Sequence, residues 1–279
     1  MTQKNAPAVS VIIPTFNRAL WLRAAVESVL NQSFRDFELI VIDDGSTDAT
    51  AEVVSEFDEQ IRYYFQTNQG PSAARNLGIH KAKAPYLCFL DSDDQWQKNK
   101  LAIQIDTLAR QPEFKICYTG EIWIRRGVRV NAKKVHRKYS GRIYQHCLPL
   151  CLISPSSVMI HRDVLTEVGL FDTSFPVCED YELWLRICQR YPVNFINQPL
   201  IIKYGGHEDQ LSRRYWGMDR FRVRALEKIL SSGELSPEDR RATINILHQK
   251  CDILVQGFLK RGKKDQARQY LLLKEKYRD

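Results

Sequence analysis

Three carboxylates within four positions, Asp91, Asp93 and Asp94, follow the short apolar run Tyr86-Leu-Cys-Phe-Leu90. Such a run reads as a strand buried on both faces of a sheet. An unpaired carboxylate is costly to bury, so the cluster belongs at the strand's carboxyl end, facing solvent or a cation. In an extended chain residues i and i+2 point the same way. Asp91 and Asp93 can therefore converge on one hard cation, directly or through water. Mg²⁺ and Mn²⁺ prefer oxygen ligands and hold substrate phosphates beside a carboxylate or two. The pattern suits a metal–phosphate site at the mouth of a sheet. It also suits a helix start, with Asp93 or Asp94 as N-cap of a helix over Gln95–Arg110.

The elements that would present these acids alternate simply. Val9–Ile13 is a buried strand stopped by Pro14, and Asn17 is placed to cap a helix over Ala19–Leu30. Phe37–Ile42 is a second strand, and it too ends in acids, Asp43 and Asp44, before Gly45-Ser-Thr-Asp48. Ser46 or Thr47 can cap a helix running to Phe57. Ile61–Phe65 reads as a third strand, Gly70–Gly78 as a turn entering a short helix, and Tyr86–Leu90 as a fourth strand. This alternation predicts βαβ units, an α/β fold and a mostly parallel sheet. Ligands bind such sheets outside the carboxyl ends of the strands. Thr15 and Asn17, Asp43 and Asp44, and Asp91 and Asp93 all fall there, outlining a nucleotide-shaped cleft. No G-x-G-x-x-G follows the first strand, which weighs against a dinucleotide. Gly257–Lys263 imitates a phosphate loop but lacks its final Ser/Thr and lies in a helical pattern.

Length and composition set bounds. At 279 residues and 44% apolar, the chain fits one large α/β domain with an appendage, or two small domains. Its seven cysteines are scattered with no C-x-x-C, which predicts reduced thiols and a cytoplasmic setting. No apolar run approaches the roughly 20 residues that span a bilayer. The net charge of +8 is lopsided: residues 210–279 hold 17 Lys/Arg against 9 Asp/Glu, and the remaining 24 of each cancel. That basic end could meet anionic lipid, an acidic partner or nucleic acid, or be a solvated helical face.

Four ordered stretches now carry a resemblance. Val9–Arg18, Asp43-Asp-Gly-Ser46, Gly70-Pro-Ser-Ala-Ala-Arg-Asn76 and Leu90-Asp-Ser-Asp-Asp94 together look like a family 2 glycosyltransferase of the GT-A fold, over about residues 8–210. The resemblance implies inverting transfer from a nucleotide sugar, with UDP expected, assisted by Mn²⁺ or Mg²⁺, within cell-surface polysaccharide or glycoconjugate synthesis. By position it implies that Pro14, Thr15 and Asn17 line the nucleotide pocket and that Asp44 contacts the base. It puts Arg75 and Asp91 near the donor, and Asp91 and Asp93 on the metal. A structural ion pair with one of these aspartates is the alternative for Arg75. Glu179-Asp180 opens a helical pattern, where carboxylates suit the helix dipole. The resemblance assigns Asp180 as the general base. Cys178 has no nearby His and reads as a buried thiol.

The division expected is residues 1–210 as the transferase domain, with 1–115 as nucleotide-binding half and 116–210 as acceptor half. Residues 211–279 form a basic helical extension with three amphipathic segments. From Arg125 to Arg142 there are eight Lys/Arg and no acid. That segment reads as an exposed basic hairpin or as a loop over the cleft for diphosphate or an anionic acceptor. His207 follows a strand and a Gly pair, where it could close over diphosphate, be a third metal ligand, or be a loop histidine bonded to backbone. The Gln-x-x-Arg-Trp of processive relatives is absent, which favours one sugar per event onto a carbohydrate or lipid-linked acceptor. Nucleotidyl transfer, or non-catalytic binding of carbohydrate or nucleic acid, are the rival functions. A contact of the basic helices with the inner membrane face is a further expectation; nucleic acid is not expected as partner.

Overall fold

The computed structural model describes residues 6–206 and 214–278. Strands β1 (Val9–Thr15), β2 (Phe37–Asp43), β3 (Arg62–Phe65) and β4 (Tyr86–Phe89) run parallel in the order β3-β2-β1-β4. Helices α1 (Ala19–Leu30), α2 (Thr50–Ser55) and α3 (Pro71–Lys81) connect them. Beyond β4 the same sheet continues through β8 (Val158–His161), β6 (Ile116–Arg125), β9 (Asn194–Gly205) and β5 (Asp94–Trp96). There β8 is antiparallel to both neighbours, β9 is parallel to β6, and β5 is antiparallel to β9. A short β7 (Val128–Val130) folds back on β6. Around the sheet lie α4 (Lys100–Arg110), α5 (Tyr144–Cys147), α6 (Arg162–Val168), α7 (Glu179–Arg190), α8 (Asp219–Ser231), α9 (Pro237–Leu259) and α10 (Lys264–Lys276).

Strand alternation divides the core. Val9, Val11 and Ile13 of β1 pack with Leu22, Val26 and Val29 of α1, whereas Ile12 joins Ile40, Phe89 and the opposite face. That second cluster runs without a break through Trp184 of α7 into Leu226, Leu247 and Phe258 of α8 and α9. The C-terminal helices therefore share the core of the sheet. Among the described residues no helix is long and apolar enough to cross a membrane. All seven cysteines are free thiols.

Two expectations change. Gln95–Arg110 is not one helix: Asp94–Trp96 pairs with Lys203–Ile201 of β9, and α4 begins only at Lys100, after Asn99. Neither Asp93 nor Asp94 caps it, because a strand partner more than a hundred residues away claims the segment. The caps of α1 and α2 also differ. Asp48, not Asn17, Ser46 or Thr47, accepts from Ala19 N at 3.1 Å and from Thr50 N at 3.1 Å, so one carboxylate serves both helix starts. In the basic segment, the β6–β7 turn at Arg126-Gly127 has positive φ at both residues, the geometry of a tight two-residue hairpin.

Gly78 is where α3 meets β1. A Cβ there would run into Ile12 Cγ2, a side chain locked between sheet and helix. Gly78→Ala should therefore destabilise the fold by about 1–3 kcal/mol, read as a lowered denaturation midpoint with an unchanged m-value.

Candidate active site

The strand register brings the predicted residues to one rim. Thr15 stands opposite Asp43 and Asp43 opposite Phe65, while Leu90 N donates to Ile12 O at 3.0 Å, placing Asp91 beside the end of β1. Gly45 sets the turn after β2: its φ is +87°, and a Cβ would lie 2.8 Å from Asn68 N. Asn17 fastens the two loops together, its N–H donating to Ser46 Oγ and its Oδ1 accepting from Thr47 N, each at 2.8 Å. Asn17 itself has φ +52°, an uncommon conformation held by those contacts.

Asp43 and Asp44 divide their labour. Asp43 is structural, accepting from Ser46 N and Tyr63 Oη at 2.8 Å each. Asp44 accepts from Gln66 Nε2 (2.6 Å) and Gln69 N (2.9 Å) at Oδ1, and from Gly70 N (2.7 Å) at Oδ2. A carboxylate has about four lone-pair sites, so Asp44 retains capacity for one more donor. Thr15 Oγ1, Ser72 Oγ and Arg75 Nε are buried without a hydrogen-bond partner among the described residues. Buried polar atoms are rarely left so; Thr15 ends β1, and Ser72 and Arg75 lie in the first turns of α3.

Arg75 ties the site together. Its guanidinium donates to Asp91 Oδ1 at 2.8 Å and to Glu179 Oε1 at 2.7 Å, with its Cζ 5.3 Å from the Phe171 ring centroid. The ion pair that the sequence left as one option for Arg75 is present, and it has a second acid. Burial alone would raise the Asp91 carboxyl, but Arg75 and then Lys203 hold it below the ordinary range. Glu179 and Asp180 open α7 behind Cys178, whose φ of +62° turns the chain sharply into the helix. Asp180 Oδ2 accepts from the Cys151 thiol at 3.3 Å and its Oδ1 from Tyr181 N at 2.7 Å. The Cys178 thiol is buried and pushed up to about 12, by burial first and the Asp180 charge next, so it is no nucleophile.

Lys203, Ser156 and Glu121, which the sequence does not single out, complete the rim together with Asp94 and Lys138. Lys203 of β9 lies across from Asp94; despite its burial, Asp94, Glu121, Asp91 and Asp180 raise its ammonium above the ordinary value. Ser156 Oγ donates to Asp94 Oδ2 at 2.7 Å and accepts from Asp91 N at 3.1 Å, holding the acidic turn. Burial pushes the Asp94 carboxyl well above its ordinary value. Glu121 accepts from Lys138 Nζ (2.7 Å), Ser154 Oγ (2.9 Å) and Trp123 Nε1 (2.6 Å).

Burial works against the Glu121 charge, yet Lys138 and then Lys203 lower its carboxyl from 4.5 to about 2. A folded-state value below the unfolded one contributes stability above the unfolded pKa and loses it as pH falls. Glu121→Gln should therefore cost about 2–3 kcal/mol at pH 7. Melting curves should show the gap to the unsubstituted protein constant above about pH 5 and closing between about 4.5 and 2.

As for a cation, Asp91 and Asp93 are hard oxygen donors at a rim with unsatisfied polar groups, and Asp93 Oδ2 lies 4.0 Å from Arg18 Nη2. Among the described residues no three His, Cys, Asp or Glu side chains gather as a ready cage. The donor set fits an ion whose shell is completed by phosphate oxygens and water, the habit of Mg²⁺ and Mn²⁺. His207 lies outside the described residues.

The sequence profile of Glycosyl transferase family 2 matches residues 10–169, more than half of the chain. The chain belongs to glycosyltransferase family 2. The Escherichia coli enzyme UDP-Glc:alpha-D-GlcNAc-diphosphoundecaprenol beta-1,3-glucosyltransferase WfaP is 31% identical over 189 residues, 65% of this chain and 70% of that protein. An uncharacterized glycosyltransferase of Rickettsia felis is 37% identical over 200 residues, 69% of this chain and 32% of its own. The chain thus spans about a third of the length of the first curated relatives it matches. Among solved structures, S. aureus TarS 1–349 with UDP-GlcNAc superposes with a TM-score of 0.70 at 16% identity, covering 96% of this chain and 91% of that one. The mannosyltransferase PcManGT of Pyrobaculum calidifontis with GDP-Man and Mn²⁺ gives 0.66 at 17% identity, covering 99% and 77%. This family 2 chain has the GT-A fold, an α/β sheet with flanking helices.

Proposed function

We propose that this family 2 chain transfers a single sugar, with inversion, from a nucleotide sugar to a carbohydrate or lipid-linked acceptor in cell-surface polysaccharide or glycoconjugate synthesis. One observation carries the reading: Arg75 joins the carboxyl end of β4 to the first turn of α7 through Asp91 and Glu179. The acids that would face the donor diphosphate and the acid that would face the acceptor are thereby held on one frame.

Pro14, Thr15 and Asn17 would line the nucleotide, and Asp44 would accept a base N–H at its remaining lone pair. Arg75 would face the donor through its unpartnered Nε. Asp91 and Asp93, with His207 as a further candidate, would hold Mn²⁺ or Mg²⁺, which when bound offsets charge on a leaving diphosphate. The anomeric C–O bond breaks with its electron pair going to the nucleoside diphosphate as the acceptor oxygen attacks from the opposite face. Asp180 Oδ2, which now accepts the Cys151 thiol, would take the acceptor hydroxyl proton as the new C–O bond forms. The hydroxyl becomes acidic only as it is glycosylated, so its proton leaves late in the step. Lys203 would keep the ring of acids from repelling the donor.

UDP is the donor nucleotide we favour, in line with the names of the E. coli relative and the S. aureus complex, although the Pyrobaculum structure carries GDP-Man. The free thiols support a reducing, cytoplasmic setting. Exposed Leu259, Leu271 and Leu272, beside the surplus cations of residues 210–279, support docking at an anionic membrane face. The test is a thermal-shift series with UDP, GDP and their sugars, with and without Mn²⁺. Stabilisation by one nucleoside diphosphate family only with metal is expected, and Asp93→Ala should remove it. Metal-independent stabilisation, or none with any nucleotide, would overturn the reading.

A further inference from the structure

An open groove of about 480 Å³ lies between β6 and the chain from Ala132 to Lys138. Its floor is the Glu121–Lys138 ion pair, whose charges cancel. Above the floor stand aromatic side chains: Trp123, which meets His136 edge-on at 4.7 Å between ring centroids, and Phe195 from β9. Arg137, at the mouth, is exposed and has no carboxylate partner among the described residues; its guanidinium carbon lies 5.4 Å from the Tyr139 ring centroid. His136 Nδ1 is buried and without a hydrogen-bond partner there. Flat apolar faces with a few unsatisfied polar groups are what a sugar ring needs, since its C–H face is apolar and its edge is hydroxylated. The surrounding segment from Arg125 to Arg142, with eight Lys/Arg and no acid, adds a positive field.

A second hollow shares a wall with the groove. Trp123 also walls a second hollow of about 170 Å³ that includes Lys203, and Lys203 feels the charges of Asp91 and Asp180. On the other side, Lys138 Nζ donates to Leu152 O at 3.1 Å, one residue from the Cys151 whose thiol meets Asp180. Through Glu121, Lys138 and Leu152 the groove is thus joined to the loop that carries Cys151, the partner of the candidate base.

We propose that this groove binds an anionic saccharide unit of the acceptor, one carrying a phosphate or a carboxylate. Its ring lies against Trp123 and Phe195, and its anion meets Arg137. The assignment as acceptor rests on the transferase reading; the binding itself does not. Arg137 is exposed, so its replacement leaves the core packing untouched.

Ligand-observed NMR titrations of the full chain with glucose 1-phosphate, glucuronate and glucose test the proposal. At least one anionic probe should bind about tenfold more tightly than glucose, as a charge-assisted hydrogen bond predicts. Arg137→Ala should erase that preference and Arg137→Lys restore part of it. Binding of the phosphate alone identifies a phosphosugar, and of glucuronate alone a uronic acid. Equal affinity for all three probes, or a preference that survives Arg137→Ala, overturns the proposal. So does displacement of the probe by UDP-glucose with Mn²⁺, which would place the anion in the donor cleft. Donor binding is read separately by thermal shift, so failure of the transferase reading leaves a distinct signature: saccharide binding intact, nucleotide stabilisation absent.

Discussion

Replacing Asp180 by Asn should lower the rate of sugar transfer by about 10²–10⁴-fold while the affinity for the nucleotide sugar stays nearly constant. The substitution preserves size, and an amide oxygen can still accept from Tyr181 N as Oδ1 does now at 2.7 Å. What is lost is the second oxygen, the one that accepts the Cys151 thiol and would accept a proton from the acceptor hydroxyl. Single-turnover rates with saturating donor, together with donor KM, separate the two quantities. A variant with unchanged kcat would remove Asp180 from the chemistry. A variant whose only defect is in donor KM would place it in the nucleotide site.

Arg75→Ala should have the largest effect on the fold itself. The guanidinium is enclosed between Asp91, Glu179 and the Phe171 ring, and the side chains of Arg75 and Glu179 are 6% and 7% exposed. Its removal leaves two acids facing each other's charge across a water-poor gap. Breaking a buried pair by deleting one partner costs about 3–5 kcal/mol, which corresponds to a fall in Tm on the order of 10 °C. Burial already raises the Glu179 carboxyl, with Arg75 opposing it, so loss of Arg75 should drive Glu179 toward its neutral form. Adding Glu179→Gln to Arg75→Ala should therefore recover part of the lost stability. If the double variant is no more stable than the single one, the bridge is not the origin of the loss.

The parts of this site visible in the sequence were those where local pattern and topology coincide. A buried strand that ends in acids announces both its register and its chemistry, which is why the pattern alone puts Asp44, Asp91 and Asp93 at one edge. Glu179 and Asp180 were legible as a helix start, but the partner of Glu179 was not, since Arg75 lies 104 residues earlier. Lys203, Glu121 and Ser156 carry no signal of their own, and Lys138 is only one of eight cations in the Arg125–Arg142 segment. Each acquires its role through a contact across the sheet, and a lone lysine or glutamate in a strand reads as surface. β5 lies in the stretch that also suits a helix start, because three residues are too short for a period and only pairing with β9 defines them. β6 escaped for a related reason: its pairing to β9 shifts register around Gly120, where a Cβ would lie 2.9 Å from Gln198 O. That break blurs the inside–outside alternation.

One sheet of nine strands passes beneath both halves of the molecule, and β9 hydrogen-bonds to β6 on one edge and to β5 on the other. Such a platform has no swivel. Opening the two halves like a clamshell would sever backbone ladders along β4, β8 and β6, so adaptation to different partners has to be confined to the connections above the rim. Diversity of specificity on this scaffold is then a matter of exchanging those connections, with the platform and its arginine keystone left alone.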